Sequence, residues 1–192
     1  MNTEAFTNTK IGQTFMRMMA AIMESRLRYR FFGPMKIIQG AEIRPGQKVL
    51  EVGCGTGFFT IPAARLIGDQ GFLVAMDMLP ISVETVAKKV QTANLKNVRV
   101  AKGDALNTQL EAESMDAIMI FGVIPAPMIP MDRLVTEMYR ILKPGGTMAV
   151  WPPIPGFLPR SILQSGLFTY IRKRNGVHNF RRFQGGNLRA CL

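Results

Sequence analysis

Val49 to Phe59, VLEVGCGTGFF, is the stretch whose residue types and spacing could do chemistry. Four apolar or acidic residues, Val49-Leu50-Glu51-Val52, read as a short buried strand that runs into Gly53-Cys54-Gly55-Thr56-Gly57. Phe59, Ala63, Leu66 and Ile67 then recur at helical spacing. A strand, a glycine turn and a helix start together expose bare backbone to a ligand. Glycine lacks a Cβ and tolerates tight dihedrals, and the unpaired N–H groups of the first helical turn favour acceptor atoms. The spacing narrows the ligand. A dinucleotide fingerprint would need a third glycine where Phe58 stands, and a phosphate-binding loop would need a lysine that is absent here. What remains is an acid, Glu51, followed by G-x-G-x-G; a plain tight turn fits the same glycines.

Two further acids extend the pattern. Phe72 to Met76 is a second apolar strand ending at Asp77, about twenty residues past the glycines, where α/β cofactor sites set a carboxylate against ribose hydroxyls. Val98 to Ala101 is a third strand closed by Gly103-Asp104-Ala105. Asp104 at that strand end could accept from an adenine amino group. Either acid alone also fits a turn. Both on the edge that carries the glycines point to one ligand.

The elements that must position these residues follow from periodicity. Pro80 starts a helix with Val83, Val86, Ala87 and Val90 inward. Asp116 to Phe121 has the unbroken apolarity of a strand buried on both faces. Asp132 is placed to cap a helix with Leu134, Val135, Met138 and Leu142 inward. Lys143-Pro144-Gly145-Gly146 ends that helix, and Thr147 to Trp151 is a fifth strand. Strand followed by helix throughout implies an α/β fold with a parallel sheet and right-handed crossovers. Ser161 to Ser165 reads as a brief helix, and Asn175-Gly176 between β-forming stretches signals a hairpin. Ahead of all this, residues 10–32 read as an amphipathic helix with a stripe of Ile11, Phe15, Met18 and Ile22, and Met35 to Ala41 as a short second helix.

Glu51 to Gly57, Asp77, Gly103-Asp104-Ala105 and the run Met138 to Gly146 (MYRILKPGG) together resemble a class I S-adenosylmethionine-dependent methyltransferase. Within that superfamily the chain is most similar to the ubiquinone/menaquinone C-methyltransferase branch, which shares the Phe121-Gly122 pair; the likeness covers about residues 45–151. The resemblance implies a Rossmann-like, mostly parallel seven-stranded sheet with helices on both faces, and the 175–176 hairpin would supply its antiparallel last pair. It implies S-adenosylmethionine as cofactor, held by Glu51, Gly53, Cys54, Gly55, Gly57, Asp77, Met78, Asp104, Ala105 and Phe121. In this scheme the glycine turn takes the methionine part, Asp77 the ribose and Asp104 the adenine. Residues 1–44 form an N-terminal helical cap and 45–192 the methyltransferase domain, one structural domain overall. The sequence leaves the quinone branch after the fifth strand, where a proline-rich loop and the hairpin stand.

Methyl transfer from a sulfonium needs an oriented acceptor and a dry site more than a catalytic dyad. An acceptor that loses a proton would still need a base, for which the single histidine, His178, is the candidate. In the sheet that the resemblance implies, strand six runs parallel to the first five, which would put Arg172, Lys173 and Arg174 on the rim of the substrate pocket; an ordinary charged hairpin tip fits them as well.

Charge bears on the partner. The net charge is +11, with eight basic residues between 10 and 48 and seven basic residues but no acid beyond Pro144. Such an excess suits an anionic partner, including peripheral contact with an anionic membrane, or serves solubility alone. Two cysteines and one histidine give no disulfide framework and no metal site. Glu4 and mixed polar residues at the N-terminus do not read as a signal peptide, which leaves a cytoplasmic setting. The acceptor is then small or lipid-like. A nucleic acid methyltransferase is the alternative, but the chain has neither an Asn/Asp-Pro-Pro-aromatic tetrapeptide nor a cysteine nucleophile after the fourth strand. A protein that binds the cofactor without transferring methyl groups is a further alternative.

Overall fold

The computed structural model describes residues 33–124, 129–152, 154 and 156–184. The expected helix over 10–32, and with it most of the expected cap, lies outside the described residues. Seven strands form one sheet: β1 (Lys48–Val52), β2 (Phe72–Asp77), β3 (Val98–Lys102), β4 (Met115–Phe121), β5 (Leu142–Trp151), β6 (Phe168–Arg174) and β7 (Val177–Arg182), in the order β3-β2-β1-β4-β5-β7-β6. The first five pair in parallel, and β7 is antiparallel to both β5 and β6. The strand order therefore reverses at β1, the position that delivers the glycine turn. Strand β6 runs the same way as the parallel five, so its hairpin turn lies on their carboxyl edge. Asn175 (φ 51°) and Gly176 (φ 82°) both take the left-handed conformation that a two-residue hairpin turn requires.

Among the described residues five helices cover the faces: α1 (Pro34–Ile38), α2 (Thr60–Ile67), α3 (Pro80–Thr92), α4 (Met131–Ile141) and α5 (Arg160–Gln164). Alternation along the strands divides the core. Leu50, Val52, Ile118, Ile120, Met148 and Val150 pack with α4 and α5, while Val49, Ala117, Met119 and Ala149 pack on the other face with α1 and α2. Helix α3 covers the same face as α2, with Val86 and Val90 against Ala75 and Cys54.

Several local expectations change. Helix α4 starts at Met131 with Pro130 at its N-cap, so Asp132 sits inside the first turn and makes no cap. Proline cannot donate a hydrogen bond and suits that boundary. Ile141 ends the helix and Leu142 opens β5, which begins well before Thr147; the pairing with β4 is irregular between Met115 and Ala117. The buried face of α3 is Ser82, Val86 and Val90; Ala87 is exposed and Val83 half-buried. In α2 the inward residues are Thr60, Ala63, Ala64 and Ile67, with Leu66 half-buried. Among the described residues no helix is long and apolar enough to cross a membrane.

Candidate cofactor site

The glycine turn is hung from β2. Gly53 N and Cys54 N both donate to Met76 O, at 2.8 and 3.0 Å, and Gly57 N donates to Cys54 O at 2.8 Å. Three glycines stand in it with positive φ, for different reasons. A Cβ at Gly53 would meet Val123 Cγ2 at 2.5 Å, and one at Gly57 would touch Val86 at 3.4 Å, so these two are small because protein packs against them. A Cβ at Gly55 (φ +54°) would find no atom nearer than Gly53 O at 4.0 Å. Only Gly55 faces open space, the side from which a ligand could approach the backbone. Next to it, Thr56 Oγ1 is buried with no hydrogen-bond partner, a polar atom left for something the chain does not supply. Lys89 of α3 fixes this residue by donating to Thr56 O at 2.9 Å.

Asp77 stands against the same turn. Its Oδ2 accepts from Gly55 N at 2.9 Å and its Oδ1 from Leu79 N at 3.0 Å. Burial raises the carboxyl's pKa, opposed by hydrogen bonds from Leu79, Gly55 and Met78. Three donors leave the carboxylate one lone pair free, so the group can latch the turn and still accept a hydroxyl. Glu51, 2% exposed, accepts a 2.6 Å hydrogen bond from Thr60 Oγ1 in the first turn of α2. Burial, aided by the charge of Asp77 and opposed by Thr60, pushes its pKa up to about 8. Cys54 contributes backbone alone, because its side chain turns into the core beside Ala75, Val86 and Val90; burial first, then Glu51 and Asp77, push its thiol pKa up.

The remaining cofactor candidates divide between open and closed positions. Met78 is exposed beside Asp77. Phe121 is buried, its ring edge-on to Phe59 at 5.0 Å, and Phe59 in turn meets Trp151 at 5.9 Å. Asp104 is exposed at the end of β3 and accepts from Leu106 N at 2.8 Å, while Ala105 is half-buried against the core. Gly103 N donates to Asp77 O at 3.0 Å, so the loop after β3 abuts the end of β2. The glycine turn, Asp77 and Asp104 thus lie side by side on one edge.

Arg172, Lys173 and Arg174, the expected rim, are all exposed. Arg172 reaches the α1 side of the sheet and pairs with Glu42. Lys173 is the cross-strand partner of His178, and the backbone carbonyl of Arg174 packs against Gly40. Alternation along β6 sets Lys173 on the opposite face from Arg172 and Arg174. His178 is buried, with Nδ1 3.3 Å from Tyr170 Oη and Nε2 making no hydrogen bond. Burial and then the Lys173 charge hold its pKa below the usual value, against a pull from the Phe157 backbone. Sequence reasoning missed Thr60 and Lys89, which bond Glu51 and Thr56 from neighbouring helices. Only their three-dimensional partners give them away.

Comparison with known proteins agrees with this geometry. Residues 49–146 match the family described as methyltransferase domain. A demethylmenaquinone methyltransferase of Staphylococcus aureus (strain MRSA252) is 36% identical over 114 residues, covering 58% of this chain and 45% of its own length. One from Lactobacillus johnsonii is 28% identical over 155 residues, covering 80% and 61%. The chain spans about half the length of the curated relatives it matches. The crystal structure of a SAM-dependent methyltransferase from Aquifex aeolicus shares the fold, with a TM-score of 0.70 at 22% identity over 88% of this chain and 96% of that one.

Proposed function

This chain belongs to the methyltransferase domain family, and we propose that it is a class I S-adenosylmethionine-dependent methyltransferase of the ubiquinone/menaquinone type that methylates a lipid-like, quinol-class acceptor. The observation that carries the reading is the open space over Gly55, bounded by Asp77 and by the unpartnered Thr56 Oγ1. S-adenosylmethionine, when bound, supplies a methyl group already activated on a sulfonium. The chain's own part is to bind, orient and dry the site. Gly55 lets the ligand approach the backbone, Asp77 accepts from the ribose hydroxyls, and Asp104 accepts from the adenine amino group. Trp151, half-buried between Phe59 and the Gly176 turn, offers an aromatic surface on the same edge. A quinol acceptor also suits the names of the relatives.

Peripheral contact with an anionic membrane belongs to this reading. Met35, Met78, Ile81 and Ile154 are exposed apolar side chains at or just beyond the carboxyl edge, with Lys36, Lys173 and Arg174 exposed among them. Apolar anchors mixed with basic residues are what an anionic lipid surface binds.

Calorimetric titration with S-adenosylhomocysteine, then turnover with a demethylated naphthoquinol in detergent, tests the proposal. Asp77→Ala should weaken binding by ~1–3 kcal/mol, since buried hydroxyls lose their acceptor and the turn loses its latch. A folded wild-type protein that gives neither heat nor thermal protection refutes the cofactor reading. Binding without turnover on any quinol refutes the acceptor.

A further inference from the structure

Helix α4 carries no residue of the proposed site, yet it grips the loop that does. Glu137 is a buried acid in its last turns, and Oε1 accepts from both Thr108 N, at 2.8 Å, and Thr108 Oγ1, at 2.6 Å. Arg140, one turn on, donates Nε to Glu137 Oε2 and Nη2 to Oε1, both at 2.7 Å. The same guanidinium reaches Leu110 O at 2.8 Å. Two side chains of one helix therefore fix Thr108 and Leu110 at once. Ionised partners on both sides make these hydrogen bonds stronger than neutral ones.

The loop also packs Ala105, Leu106 and Leu110 against the core, but those apolar contacts carry no direction. It leaves β3 at Gly103, whose N–H is held by Asp77 O, and closes a small turn in which Asn107 N donates to Asp104 O at 3.0 Å. From there it runs without strand pairing to the grip at 108–110. Asp104 and Ala105 lie between the two fixed points. Asp104 is exposed, and its side chain accepts from Leu106 N, inside the same loop. The loop's near end is tied to Asp77 through Gly103, and its far end to α4 through Thr108 and Leu110.

We propose that Glu137, supported by Arg140, is the positioning residue for the adenine end of the cofactor, acting through Thr108 on the Asp104 loop. The inference rests on the function proposed above and assigns a role to two residues that never touch the ligand. It also gives the Glu137-x-x-Arg140 spacing a purpose beyond helix stability: acid and guanidinium three residues apart span both Thr108 and Leu110. Burial of Glu137 without these partners would leave a charge unpaired, so the pair and the loop stand or fall together. Its carboxyl is held down at about 2, chiefly by Arg140, so the grip persists across the neutral range.

The test is a double-mutant cycle read by calorimetry with S-adenosylhomocysteine and with its inosine analogue, which lacks the adenine amino group. Wild type, E137Q, T108V, D104A and the E137Q/D104A pair are compared. E137Q and T108V should each weaken S-adenosylhomocysteine about tenfold, and should shrink the preference for adenine over hypoxanthine. In the D104A background, E137Q should cost less than about twofold more, because residues of one network do not add. A full tenfold further loss, or an unchanged base preference, overturns the proposal in favour of a general packing role. T108V keeps the backbone bond and serves if E137Q fails to fold. If wild-type protein binds neither compound, it is the cofactor reading that fails, not the grip.

Discussion

Glu51 lies two residues ahead of the glycine turn, sealed under the first turn of α2 with one hydroxyl for company. Its pKa of about 8, against 4.5 for an ordinary glutamate, means that the folded chain keeps a proton that the unfolded chain releases. Stability must then fall as pH rises through the window from 4.5 to about 8, because the native state binds more protons there. Asp77, also raised by burial, adds a slope of the same sign. Glu51→Gln should remove Glu51's share: urea midpoints measured from pH 5 to 8 should be flatter for E51Q than for the wild type. Equal slopes would mean that the carboxylate is already ionised in the fold. His178 poses the opposite case, a base kept neutral by burial and by Lys173. If Nε2 takes the acceptor's proton, His178→Ala should lower turnover ~100-fold and leave S-adenosylhomocysteine affinity unchanged. A loss of affinity instead would make the residue a packing element next to Tyr170.

Two glycines of the turn separate packing from binding at the scale of the element. Gly53→Ala drives a methyl group into Val123 at 2.5 Å and strains a backbone with φ of 72°. Gly55→Ala adds the same left-handed strain, ~1–2 kcal/mol, but its methyl enters open space. Thermal melts should therefore show G53A as the less stable protein. Cofactor titration should show G55A as the weaker binder per unit of stability lost; equal loss of both in the two variants would remove the cradle from the argument. The same contrast marks what could be read from the chain. Apolar runs and glycine spacing sufficed for the strand succession, the turn and both edge acids, since these are local signals of period and backbone freedom. Which glycine faces the ligand was not legible, because it depends on Val123 and Val86, which arrive from other elements. Asp132 looked like a cap, and Pro130 took the place. Glu137's partner lies 29 residues away in the chain, a distance at which a lone acid carries no pattern.

At the scale of the whole molecule the chain closes on itself through β7. Asn179 Nδ2 donates to Gly40 O at 2.8 Å and Asn175 Nδ2 to Lys36 O at 2.7 Å, while Arg172 pairs with Glu42. These ties fasten α1 to the hairpin and bring Met35 and Lys36 beside the hairpin's exposed Lys173 and Arg174. Apolar and basic groups from distant parts of the sequence thus share the edge that holds the glycine turn. A lipid acceptor would need to be met at that edge. The net charge of +11 sets the sign of the long-range attraction, which salt screens beyond ~8 Å at physiological ionic strength. Sedimentation with vesicles should show binding to phosphatidylglycerol-containing bilayers that weakens as salt rises, and little binding to neutral ones. Replacing Ile81 and Ile154 together by serine should reduce the salt-resistant part of that binding, and Lys173→Glu the salt-sensitive part. Equal indifference to neutral and anionic vesicles would sink the membrane reading while leaving the cofactor site untouched, because none of the three substitutions alters Gly55, Asp77 or Thr56.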